Sequence, residues 1–139
     1  MKYNLVVKEI THDELVSIFS MLPYECHFSV DYSTRNYNSI PKQFRNGTCF
    51  EDKVADCLLN GKQIKITDLQ AEGVVYGNLD HNVNKDETVD YYLDLTEFLR
   101  GISNMEIVEH LKDLEEGNDD YWTAYMIIQY AIFGEQIYG

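Results

Sequence analysis

Apolar residues recur along this chain with two distinct periods, and the two periods divide it into strands and helices. Alternation at every second position, the mark of a strand with one buried side, runs through 3–10, 26–32, 62–68, 74–79 and 88–95. Within 26–32 it sets Phe28, Val30 and Tyr32 on one side, and within 62–68 it turns Ile64 and Ile66 inward. In 88–95 it opposes Val89, Tyr91, Leu93 and Leu95 to Asp90, Tyr92 and Asp94, a separation clean enough to predict a sheet with one wet face. The connections after Asp68 and Leu79 are short, so the simplest arrangement of the last three strands is an antiparallel meander.

Helix starts are read from capping boxes, in which a Ser or Thr and a Glu three residues later satisfy each other's backbone N–H groups. Thr11 with Glu14 predicts a helix to about Leu22, ended by Pro23. Thr48 with Glu51 predicts a helix with Phe50, Val54, Cys57 and Leu58 inward, closed by Asn60-Gly61. Ser103 with Glu106 predicts a third, running to Glu116. A fourth follows Asp119 and Asp120 and covers 121–133 with scarcely any polar side, so it is either the central helix of the domain or an assembly surface for another chain.

The order β-α-β-α-β-β-β-α-α is mixed, which favours an α+β fold over a doubly wound parallel sheet. The expectation is a single α+β domain over 1–139, with a mixed or antiparallel sheet of about five strands packed with about four helices. With 139 residues, 45% apolar content, 2 Pro and 8 Gly, composition excludes disorder and low-complexity sequence. Cys26, Cys49 and Cys57 form no CxxC pair, and 1–14 holds no signal-peptide core, so the expected setting is cytoplasmic with reduced thiols. The apolar run 121–133 is too short to span a bilayer.

Charge changes the picture more than composition does. The net charge is −13, and it is concentrated: 80–120 holds 13 acids against Lys85, Arg100 and Lys112. So acidic a chain repels nucleic acid and anionic membrane, and direct binding of either is not expected. Between 104 and 116, Glu106, Glu109, Asp113 and Glu116 fall three, four and three apart, which forms a stripe on one side of a helix with turns about 5.4 Å apart. Joined by Asp90 and Asp94, that stripe offers a row of negative charge to a basic partner, possible DNA mimicry included. The composition is similar to that of DNA-mimicking inhibitors of restriction or CRISPR systems in charge alone, and no inhibitor's residues carry over. The plain alternative is a solvated face that keeps the chain soluble.

The segment 33–47 is aperiodic and carries Arg35, Lys42 and Arg45 without an acid. It is the place to expect an anion or phosphorylated ligand, unless its charge neutralises the protein's own acidic face. Asp80, Asn82, Asn84 and Asp86 imitate the opening of a calcium loop, but Lys85 and Tyr91 occupy the positions that need Gly and Glu, so a hairpin turn is expected instead. Of the four His, only His27 adjoins a Cys, and neighbours on a strand face opposite ways. A His meeting Cys49 or Cys57 through the fold is the remaining route to nucleophilic chemistry. No catalytic residues, metal ligands or cofactors are assigned. The leading expectation is a non-enzymatic interaction protein presenting acids to a basic protein partner, itself a nucleic-acid binder in one version. The alternatives are a small anion-binding domain or enzyme built on 33–47, and a structural subunit that forms homo-oligomers through 121–133.

Overall fold

The computed structural model describes residues 9–22, 27–104 and 121–139. Its elements in chain order are α1 (His12–Met21), β1 (Phe28–Tyr32), α2 (Thr34–Asn38), a 3-10 turn (Lys42–Phe44), α3 (Phe50–Leu59), β2 (Ile64–Asp68), β3 (Asp80–Val83), β4 (Val89–Leu93), α4 (Leu95–Ile102) and α5 (Tyr121–Phe133). The fold is α+β, with all strand pairs antiparallel in the order β1-β2-β4-β3.

The sheet has four strands rather than about five, and it is not a meander. Residues 74–79 form no strand: Glu72, Gly73 and Gly77 take positive φ of 51°, 76° and 76°, which interrupts extended backbone. The 69–79 loop carries the chain past β4 to the far edge, and β4 then returns between β2 and β3. Tyr76 N–H donates to the buried Tyr91 hydroxyl (3.1 Å) and fastens that loop to the core. The strand predicted over 3–10 lies outside the described residues, except that Glu9 and Ile10 are not in a strand.

Thr11 caps α1 as its spacing predicts, with both bonds of the box present: Thr11 N–H to Glu14 Oε1 (2.9 Å) and Glu14 N–H to Thr11 Oγ1 (3.1 Å). α3 corrects the second box. Its N-cap is Cys49, one residue later than Thr48, with no side-chain cap bond. Its end follows expectation, with Gly61 at φ 74° and the paired bonds Lys62 N–H to Cys57 O and Gly61 N–H to Leu58 O that close a helix in a left-handed turn. Phe50, expected inward, is 42% exposed and packs against Tyr32 with the two rings tilted 46° to each other. Ser103 opens no helix among the described residues. It terminates α4, its N–H bonded to Leu99 O and its hydroxyl to Arg100 O. The helix expected over 104–116 lies outside the described residues beyond Asn104.

α4 itself was hidden by the alternation of 88–95, which runs on into Leu95. It starts from a box of another kind, Asp94 with Glu97, both bonds present at 2.9 and 3.1 Å. α5 is the central helix: Thr123 to Gln129 and Ala131 to Phe133 are buried, packed on α1 and α4, and only Tyr121 and Trp122 are exposed. Ile64, Ile66, Val89, Tyr91 and Leu93 meet the helices from the sheet's inner face. The chain end is latched onto the core by Gln129, fully buried, whose Oε1 accepts from Ile137 and Tyr138 N–H and whose Nε2 donates to Tyr138 O. Tyr138 then donates its hydroxyl to the buried Asp68 (2.7 Å). Burial and that carboxylate push the phenol well above its ordinary range.

Candidate functional site

The sheet's outer face is where the polar half of each alternation ends up, because the buried Ile64, Ile66, Tyr91 and Leu93 are paired with one another on the opposite face. Cross-strand register arranges that half in two rows. Asp31, Lys65, Tyr92 and Asp80 are successive partners in one, and Ser29, Thr67, Asp90 and Asn82 in the other. Three acids from three strands therefore share this face.

Of the predicted acidic residues, the structure describes two. Asp90 stands on the outer face but is 9% exposed, and its Oδ1 accepts the Thr67 hydroxyl at 2.6 Å. Asp94 is half-buried and committed to capping α4. Both carry charge to the region while working structurally. Glu106, Glu109, Asp113 and Glu116 lie outside the described residues. Asp31, which lies in no candidate segment, and Asp80, the first acid of the 80–120 block, are the exposed acids of the face. Alternation in 26–32 contains Asp31, while no predicted strand contains Asp80, and the register places the two at opposite ends of one row, on the sheet's edge strands.

The three cations of 33–47 do not act alike. Arg45 turns inward, donating from Nε to Ile40 O and from Nη2 to Asn38 O, both at 2.9 Å, with its guanidinium 5.2 Å from the Tyr37 ring centre. It is a clamp on its own loop. Arg35 on α2 and Lys42 on the 3-10 turn are exposed. Among the described residues no Lys or Arg comes within 4.0 Å of a carboxylate, so the loop makes no ion pair with the described acids.

The fold does bring a His toward a Cys, by way of a shared carboxylate. Cys49 donates its S–H to Asp52 Oδ2 (2.8 Å), and His12 Nε2 sits 3.6 Å from Asp52 Oδ1 and 3.6 Å from Asp56 Oδ1. Asp56 is fully buried and held by the N–H and side-chain amide of Asn46. The arrangement ties α1 to α3, but it suppresses the thiol. Asp52 raises the Cys49 pKa, and burial raises that of Cys57 to about 11, whereas a nucleophilic Cys needs its thiolate favoured. His27 Nδ1 is hydrogen-bonded with the Tyr125 hydroxyl (2.8 Å) inside an aromatic cluster, and His81 Nδ1 lies 3.0 Å from Leu79 O.

The calcium-like segment is the β3–β4 hairpin. Asn84 and Thr88 close its turn, Glu87 takes φ 69°, and Asp86 is consumed by Thr88, which lowers its pKa. Among the described residues no group of three or more His, Cys, Asp or Glu is arranged to hold a metal ion, and no helix is long and apolar enough to cross a membrane. No protein-family model, curated protein or solved structure matches the chain.

Proposed function

We propose that this protein is a non-enzymatic interaction protein that presents an acidic surface, built on the outer sheet face and the acid-rich 80–120 region, to a Lys/Arg-rich protein surface. The observation that carries the reading is that, among the described residues, no Lys or Arg lies within 4.0 Å of a carboxylate, while the chain carries −13 overall. Charges left unpaired at a surface project a field into solvent, and that field steers and holds an oppositely charged partner. The open sheet face supplies a rigid platform for it, since the backbone of all four strands is fixed by the ladder.

The test compares two triple variants that change net charge equally. Asp80→Lys, Glu106→Lys and Glu109→Lys reverse the proposed surface, and Glu9→Lys, Glu72→Lys and Glu135→Lys reverse acids elsewhere. With a Lys/Arg-rich peptide as probe, the parent chain binds and the first variant loses at least about tenfold more affinity than the second. Equal losses in the two variants, or no binding by the parent at low salt, overturn the proposal.

A further inference from the structure

We propose that the outer sheet face also carries a pocket for a free α-amino acid. A cavity of about 400 Å³ opens beside α2, lined among others by Asp31, Lys65, Tyr92, Asn36 and Gln63, with Ile64 as an apolar contribution. That volume lies at the low end of the range for small-molecule sites.

The argument rests on a pair of charges that are neighbours without being partners. Asp31 and Lys65 are directly opposed across β1 and β2, and Lys65 is opposed in turn to Tyr92. Side chains so placed start about 5 Å apart at Cβ, well within a lysine's reach of a carboxylate. Yet Lys65 makes no ion pair at 4.0 Å or less among the described residues, and the two groups stand around the cavity. The Asp31 carboxylate is also oriented: its Oδ1 accepts the N–H of Tyr32 at 2.8 Å, which leaves Oδ2 as its open acceptor. The side-chain amides of Asn36 and Gln63, the Lys65 ammonium and the Tyr92 hydroxyl make no intramolecular hydrogen bond among the described residues, and these four residues line one cavity.

A ligand that satisfies this set needs an ammonium for Asp31 and a carboxylate for Lys65 close together, amide-compatible polar atoms beside them, and a side chain to lie on the Tyr92 ring. An α-amino acid has that constitution. The charge of the whole molecule favours it over simpler ions. At −13 the protein repels a free anion approaching Lys65, while a plain cation at Asp31 meets the lysine; a zwitterion presents no net charge to either term.

The experiment titrates the full-length ¹⁵N-labelled chain with each of the twenty standard amino acids at millimolar concentration, following the side-chain amide signals of Asn36 and Gln63, without any protein partner present. At least one amino acid is expected to shift them saturably. Asp31→Asn and Lys65→Met, both at surface positions, are each expected to weaken that binding about tenfold or more while leaving the unfolding temperature unchanged. The deaminated acid and the decarboxylated amine of the same ligand are each expected to fail. The pocket assignment is overturned if no amino acid shifts the signals, if either variant binds as the parent does, or if either analogue binds as well as the amino acid. Binding of a basic peptide to the acidic surface is measured separately on the parent chain, so failure of the pocket and failure of the acidic surface are read from different experiments.

Discussion

Asp52 makes opposite demands on its neighbours. It accepts a hydrogen bond from the Cys49 thiol on one oxygen and faces His12 with the other, so the more exposed of the two described thiols is held in its unreactive form. Cys57 is suppressed by burial instead. Alkylation follows the thiolate fraction, and a raised pKa keeps that fraction low until pH climbs through the raised value. Iodoacetamide labelling mapped by mass spectrometry should therefore find Cys49 slow near neutral pH and faster as pH rises, and Cys57 unlabelled until the chain unfolds. Asp52→Asn removes the carboxylate and should speed Cys49 labelling several-fold near neutral pH without changing that of Cys57. Labelling of Cys49 that is equally fast in both proteins would contradict the role given to Asp52. None of this was visible beforehand, because Cys49 and Asp52 are near in sequence but His12 reaches them only through the packing of α1 on α3.

Where α4 crosses α5, the limiting residue is Gly101. A methyl group there would lie 2.3 Å from Tyr130 O and 2.6–2.7 Å from the Ala131 backbone, atoms that cannot rotate away. Helix propensity alone makes Gly101→Ala stabilising by about 1 kcal/mol. Overpacking of a helix crossing costs about 1–3 kcal/mol. The steric cost wins here because backbone faces backbone, so urea denaturation should show net destabilisation; a gain in stability would mean that the helices separate easily. The same elements show what was legible. The α1 box, the left-handed stop of α3, the inward sets of β1, β2 and β4, and the apolar α5 all follow from local spacing, and local spacing survives folding. Three errors have one origin, local signals overridden by longer-range geometry. Alternation in 74–79 yielded to positive-φ turns, the alternation of 88–95 concealed the Asp94–Glu97 box at its end, and strand order depended on a loop whose length permitted a crossing that its sequence does not encode. The candidate site was legible by composition only: the sequence marks where acids are dense, but the proximity of Asp31 to Lys65 and of Asp90 to Asn82 is a property of register.

Taken as one charged body, the chain should respond to salt with opposite signs in folding and in binding. If the acids were stabilised by internal ion pairs, screening would weaken those pairs and lower stability. Among the described residues the carboxylates meet no cationic side chain within 4.0 Å except His12, so at a net charge of −13 repulsion between like charges dominates at the surface. Screening shortens from about 10 Å at 0.1 M to about 3 Å at 1 M. Raising sodium chloride across that range should therefore raise the thermal midpoint of the free protein. The same increase should weaken capture of a Lys/Arg-rich peptide, because there the screened interaction is attractive. The two measurements can disagree in an informative way: a midpoint that falls with salt would show that attractive pairs within the fold outweigh repulsion among the acids, contrary to the unpaired surface on which the proposed docking rests.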